Sequence, residues 1–280
     1  MKHWLIWVAS PFTVLLPACE PTSTDSSPTE IVETTLNPDS TTTVARKVNG
    51  KLEGRALTYW PSGVLAGISY LHEDQLEGIQ RRFHKNGKLA EWLQYHRSKL
   101  EGKSYEFFES GAPASVTHYA NGQRKGCHVL FYEQPRDQVR VYVDFVIGDG
   151  HEWKNRYVAY DPKGNITERF GFPRAYATLD TIPLGDSLTL HLRVQHPKHS
   201  SVLAVIGDYD EQFRLRDSAS LRSIQGKAHT ATARIPATQR GQQIVRGYLS
   251  DFREIGVPRT DGSVTVKGQR LYFAYPYFVR

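Results

Sequence analysis

The residues of this sequence whose types could do chemistry are three clustered histidines, one serine after a turn and a column of carboxylates. His191, His196 and His199 stand around Pro197-Lys198, and neighbouring imidazoles can begin a zinc site. No acidic residue or cysteine adjoins them, so they read as polar loop histidines and no metal site is expected. Ser187 follows Gly185-Asp186. A serine nucleophile needs a histidine base held by a third group, and no Asp-x-x-His occurs after it. Gly-Asp opening an alternating run reads as a turn, and Ser187 as its exit. Glu53, Glu77 and Glu101 stand 24 residues apart. On strands of successive hairpins they would lie about two strand spacings, roughly 10 Å, apart, too far to share one metal ion. They are either solvated turn residues or a carboxylate row facing a basic partner. With no His-Glu-x-x-His, no complete phosphate loop and no dinucleotide fingerprint, the expectation is a protein that is not an enzyme and takes no cofactor.

The carboxylates belong to a repeat. Gly54, Gly78, Gly102 and Gly126 recur every 24 residues, and Leu52, Leu76 and Leu100 keep the same register. Aromatics follow at a fixed offset, Tyr59, Phe83, Phe107 and Phe131, and then the turn glycines Gly63, Gly87 and Gly111. Turn residues return about every twelve positions, Asn86-Gly87 and Asn121-Gly122 among them, and such pairs tolerate the positive φ of tight hairpins. The segments between are short and rich in Tyr, Phe, Trp and Leu, so each unit predicts one β-hairpin. A degenerate copy follows Gly150. The fold expected over residues 49–170 is an antiparallel hairpin meander with an aromatic ladder along one side. That ladder reads as packing between hairpins, with a ligand-stacking platform as its functional alternative.

A Tyr or Phe, a turn Gly and a following Leu-Glu-Gly in each unit resemble the MORN-repeat variant, the pattern also called the YwqK-type antitoxin repeat. The resemblance implies an elongated single-sheet rod that contacts proteins or lipids. The antitoxin association implies a toxin partner, for which an exported protein is badly placed.

Export is read from the N-terminus. Met1, Lys2 and His3 precede an apolar run over residues 4–16, too short to span a bilayer and of signal-peptide length. Leu16-Pro17-Ala18-Cys19 resembles the lipobox of bacterial lipoproteins, which implies a signal peptide over residues 1–18 and a diacylglycerol on the Cys19 sulfur. Glu20 after it resembles lipoproteins sent on to the outer membrane. An acylated Cys19 would leave Cys127 without a partner in the chain, and Cys127 reads as a buried inert thiol. Residues 19–48 are dominated by Thr, Ser, Pro and acids, which predicts a disordered tether.

From residue 171 to residue 280 the period is gone. About seven short strands separated by Gly, Pro and Asp turns predict a small β-sandwich, loosely similar to the Ig-like modules that end exported bacterial proteins. This part holds 15 basic and 9 acidic residues, twelve of the basic ones arginine. The whole chain is only mildly basic, 35 basic against 29 acidic residues over 280, and no nucleic-acid motif accompanies the arginines, so no nucleic-acid partner is expected. The arginines are solvated strand faces or a surface for acidic groups.

Together these readings predict an all-β, non-enzymatic protein of the cell envelope, held at the outer membrane by lipid, whose repeat sheet binds an envelope protein. The rival is a carbohydrate or peptidoglycan binder that stacks sugars on Trp60, Trp92, Tyr95 and Tyr119.

Overall fold

The computed structural model describes residues 29–255 and 265–280. The signal segment and Cys19 lie outside the described residues. Every named element is a strand.

The first hairpin, β1 (Glu30–Leu36) and β2 (Thr42–Val48), occupies the stretch whose composition suggested a tether, so that expectation is corrected from Glu30 onward. Asn37-Pro38-Asp39-Ser40 makes the turn, with Asn37 N donating to Thr41 O at 2.8 Å. The Asp39 carboxylate accepts from the Thr41 amide at 3.1 Å and the Thr41 hydroxyl at 2.7 Å. The β-branched run Thr42-Thr43-Val44 suits a pleated strand despite its low apolar content. β2 lies against the first repeat strand and buries Ala45.

The meander continues through β3 (Lys51–Leu52), β4 (Gly54–Tyr59), β5 (Leu65–His72), β6 (Gln75–Leu76), β7 (Gly78–Phe83) and β8 (Leu89–His96). Then come β9 (Lys99–Leu100), β10 (Gly102–Phe107), β11 (Pro113–Ala120), β12 (Gln123–Phe131), β13 (Val139–Gly148), β14 (His151–Tyr160) and β15 (Ile166–Ala177). β3 with β4, β6 with β7, and β9 with β10 are each one bent strand, broken where a Glu precedes a glycine at positive φ. Neighbours pair antiparallel from β1 to β15, as the repeat predicts.

The last part adds β16 (Thr181–Ile182), β17 (Ser187–His196), β18 (Ser201–Tyr209), β19 (Leu215–Gln225), β20 (Thr230–Pro236), β21 (Gly241–Ile255) and β22 (Thr265–Val279). β17 and β20 extend the large sheet beyond β15. The second sheet, in the order β16-β22-β21-β18-β19, lies over them. Leu188, Leu190, Leu192 and Val194 alternate with exposed residues along β17 and meet Val202, Ala204 and Ile206 of β18 and Leu249, Leu271 and Phe273 of the last two strands. One layer of the sandwich is therefore the end of the meander's own sheet, and the boundary expected at residue 170 falls inside β15. Its first half pairs with β14 and its second half with β17, the change coming at Gly171. Gly171 has φ +89°, and a Cβ there would stand 2.5 Å from the Asn155 carbonyl oxygen. Only glycine fits so close an approach.

A buried side chain ties the two parts together. Asn155 of β14 donates from Nδ2 to the Tyr272 carbonyl at 2.8 Å and accepts from the Tyr272 amide at Oδ1 at 2.6 Å. Beside it Gly148 leaves room for the Tyr272 ring, which contacts Trp153, Phe213 and Tyr248. Arg270 sits over Trp153 and Tyr248 and pairs with Asp149.

Candidate binding surface of the repeat sheet

The repeating carboxylates have a structural task. Glu53 Oε2 accepts from the Glu73 amide at 3.0 Å, Glu77 Oε2 from the Arg97 amide at 2.9 Å and Glu101 Oε2 from the Asn121 amide at 2.7 Å. Each acceptor reaches the first residue of the next unit's turn, where Glu73, Arg97 and Asn121 have positive φ. The second turn residue donates back, Asp74 N to Leu52 O, Ser98 N to Leu76 O and Gly122 N to Leu100 O. The glycine after each carboxylate, with φ of +78° at Gly54 and Gly102 and +79° at Gly78, makes the bulge that aims it. The column is thus a series of turn locks, neither a metal site nor a row free to meet a partner.

Two locks carry a histidine. His72 Nδ1 lies 3.1 Å from Glu53 Oε1, and His96 Nδ1 lies 2.9 Å from Glu77 Oε1. The turn amide first, and then the histidine, hold the Glu53 and Glu77 carboxyls below their ordinary range. The hydrogen bond to Glu53 raises the His72 imidazole in turn.

The aromatic column takes equivalent places. Tyr59, Phe83, Phe107 and Phe131 each stand at the register shift that ends a repeat strand, opposite Leu65, Leu89, Pro113 and Val139, and all are half-buried. The following residues, Trp60, His84 and Phe108, open the turns completed by Gly63, Gly87 and Gly111. Neighbouring turns are tied, with His84 Nε2 and the Phe107 carbonyl 2.8 Å apart, Asn86 Nδ2 donating to Glu109 O at 2.8 Å and Lys88 Nζ to Ser110 O at 2.9 Å.

The rings named for sugar stacking do not share a plane. Strand alternation puts Trp92 and Tyr95 on opposite faces of β8. Trp92 meets Tyr105 edge-on at 5.5 Å, while Tyr95 and Tyr119 stand on the other face and Trp60 sits at a hairpin end. Of these rings, Trp60 lines the groove described next.

The two faces differ in chemistry. One carries Leu57, Ile68, Trp92, Tyr105, Val116 and Val129 in cross-strand register. The other carries a polar row in which Thr43 and Thr58 hydroxyls lie 3.0 Å apart, Gln80 Nε2 donates to Ser69 Oγ at 2.8 Å, Ser115 Oγ to Glu106 at 2.9 Å, and Thr117 meets His128 at 2.8 Å. A groove of about 650 Å³ opens on this polar face near the first hairpin. Thr58, Gly67, Ser69 and Gln80 belong to its lining, and so do Trp60, Arg82, Lys85 and Glu91, with Asp39 from the β1–β2 turn. The Trp60 indole Nε1 is buried and has no hydrogen-bond partner. Lys85 Nζ stands 5.6 Å from the Trp60 ring, and Arg82 pairs with Glu91 at 3.4 Å. Sequence reasoning named Trp60 but missed Arg82 and Lys85, because the groove exists only through cross-strand register. A second, more apolar cavity of about 370 Å³ lies at the joint between Phe145, Val146 and Phe213.

The other candidates fall apart in space. Ser187 is an exposed residue after the Pro183–Asp186 turn and bonds its neighbour Asp186. His191 stacks on Tyr176, His196 meets Phe172 edge-on, and His199 turns inward to Asp251 at 3.7 Å. Among the described residues no three His, Cys, Asp or Glu side chains converge as metal ligands would. Cys127 is a half-buried free thiol whose pKa is pushed up by burial, then by Asp144.

Fold and locks together define a hairpin-repeat β protein. The family model of the MORN repeat variant matches residues 76–97, the stretch from Leu76-Glu77-Gly78 through the Gly87 turn to Arg97. The match supports a MORN-repeat family, whose repeats are generally associated with protein or membrane interaction. No curated protein matches the chain.

Proposed function

We propose that this is a non-enzymatic, lipid-anchored protein of the cell envelope whose repeat sheet binds a segment of another protein in the groove beside Trp60. The observation that carries the reading is the buried, unpartnered Trp60 Nε1 in a groove that also presents Asp39, Arg82, Lys85 and Glu91. A buried donor without an acceptor costs stability, and a turn of the Trp60 ring toward the groove would let an incoming backbone carbonyl satisfy it. Mixed charge on the walls suits a polypeptide, which carries both signs. The open edge of β1 offers a second contact, since among the described residues it pairs with β2 alone and exposes Ile31, Val32 and Leu36. Ten residues lie between Cys19 and Glu30, so an acyl anchor at Cys19 would hold that edge within roughly 40 Å of the outer membrane.

Stacking of neutral sugars on the repeat sheet is disfavoured by the division of Trp92, Tyr95 and Tyr119 between its faces. The test is crosslinking in native membranes with mass spectrometry, comparing the wild type with Trp60→Phe, which keeps a ring but removes the donor, and with Arg82→Glu/Lys85→Glu. Crosslinks to a protein that both variants lose support the reading. A crosslink pattern unchanged by both variants, or recovery of glycan alone, refutes it. Acyl labelling that persists in Cys19→Ser would refute the anchor.

A further inference from the structure

The outward face of the sandwich's first layer is an arginine surface without counter-ions. Along β17 the inward residues Leu190, Leu192 and Val194 are fully buried, so Thr189, His191 and Arg193 between them point to solvent. Arg193 stands directly opposite Arg174 of β15. Like charges facing each other across a strand pair destabilise a sheet. Three other arginines of this chain stand against carboxylates, Arg214 with Asp210, Arg124 with Glu152 and Arg270 with Asp149. Among the described residues, none of Arg174, Arg193, Arg222 and Arg234 has a carboxylate within ion-pair distance.

The surface is also ordered. Tyr176 stacks on His191 at 5.2 Å, and the Arg174 guanidinium stands 5.5 Å from the Tyr176 ring. His191 Nδ1 lies 3.2 Å from the Thr232 hydroxyl on β20. Arg222 Nη1 donates to the Arg234 carbonyl at 3.2 Å, bringing a further cation to that edge. Arg193 is paired with Thr230, four residues before Arg234 on the same strand, which puts the two cationic points about 14 Å apart.

We propose that the β15–β17–β20 face binds an acidic polysaccharide, the Arg174–Arg193 pair holding one carboxylate and Arg234 another further along the chain. Two arginines in cross-strand register suit the capture of a carboxylate, and the hydroxyls of Thr232, between the two cationic points, and of Thr189, opposite Arg234, suit sugar hydroxyls. The face has no large aliphatic or Trp side chain to enter a bilayer.

The test uses the full chain and three probes: polygalacturonate, neutral dextran of similar length and phosphatidylserine vesicles. Salt-sensitive binding to polygalacturonate alone is expected, weakened about tenfold or more in Arg174→Gln/Arg193→Gln. That variant removes a like-charge pair, so its thermal midpoint is expected to stay level or rise, which separates lost binding from lost folding. The paired-arginine control Arg214→Gln and the groove variant Arg82→Glu/Lys85→Glu are expected to bind as the wild type does, so this proposal stands or falls separately from the groove. Undiminished binding in the double variant, an equal loss in Arg214→Gln, or binding to the vesicles and not to the polysaccharide would overturn it.

Discussion

Removing the Asn155 side chain should loosen the joint between repeat sheet and sandwich by a predictable amount. Asn155 is 7% exposed, and its amide completes hydrogen bonds with both backbone groups of Tyr272, a residue 117 positions away. Asn155→Ala leaves one buried N–H and one buried C=O without partners. At ~1–3 kcal/mol for each orphaned group, the loss is about 2–6 kcal/mol, the lower end applying if water enters. Asn155→Asp is the sharper variant. Its carboxylate still accepts from the Tyr272 amide but sets a negative charge against the Tyr272 carbonyl, so it should cost at least as much as alanine. Urea unfolding gives both values, followed by tryptophan fluorescence, to which Trp153 contributes 6.4 Å from the Tyr272 ring, and by far-ultraviolet circular dichroism. The midpoint should fall in both probes together. A change below ~0.5 kcal/mol in both variants would refute the claim that this amide holds the joint, because a small domain has only about 5–15 kcal/mol in all.

In the sandwich core, Leu192→Ala at a fully buried position should cost about 2–5 kcal/mol by urea unfolding. Gly78→Ala, whose Cβ would meet nothing within 4 Å at φ +79°, isolates the backbone term, and a loss of about 1–2 kcal/mol is expected. The locks should make stability depend on pH. The His72 contribution is fully present below its ordinary value of 6.5 and is lost as the pH rises through the raised folded value. The Glu53 and Glu77 contributions are present above 4.5 and are lost as the pH falls through their lowered folded values. His72→Gln should flatten the alkaline side of the profile of urea midpoint against pH, and an unchanged slope there would contradict the assignment. Excising residues 77–100, one period, should leave a cooperatively folding β protein, since Glu53 keeps its turn at Glu73 and Glu101 keeps its turn at Asn121. Circular dichroism and a single unfolding transition check this.

What could be read from the chain was whatever is written locally. The glycine column, the turn pairs and the alternation along β17 depend on neighbours in sequence, and each gave its strand. The role of Glu77 was not legible, because its partner is a backbone amide 20 residues away, reached only once two hairpins are in register. Composition misjudged residues 30–48 for a related reason. Thr and Val form a strand there because β4 offers an edge to pair with, and hydroxyl-rich strands look like linkers until a neighbour is supplied. Gly171 looked like the end of a repeat, while its conformation and closeness to Asn155 make it the bend that carries one strand from meander to sandwich. The groove beside Trp60 was half legible. The ring stood out, but Arg82 and Lys85 lie more than twenty positions away along the chain, and pairing brings them alongside.

The repeat sheet and the sandwich are held together by different means, and the difference leaves the sheet free to bind. In the sandwich most of the buried residues are Leu, Val and Ile, with Phe273, Tyr277 and four alanines among them, enough for a conventional core. In the regular repeats up to β12 they are small, Ala56, Ala66, Ser104, Ala112, Ser115 and Thr117, and large ones, Val143, Phe145, Val158 and Phe170, come only on β13 to β15 near the sandwich; burying the small ones contributes little. Order there must come from the backbone ladder and from the turn locks, each of which needs the next unit to supply its amide. Such an array is stable only when its ends are closed. The β1–β2 hairpin covers the first repeat strand and leaves only its own β1 edge open, and at the other end β14, tied by Asn155 to β22, and β15, continued by β17, join the array to the sandwich. With the locks confined to the turns, neither face of the sheet has to be buried for the fold to persist. The polar groove and the facing row of Trp92, Tyr105 and Val116 can therefore stay open to a partner.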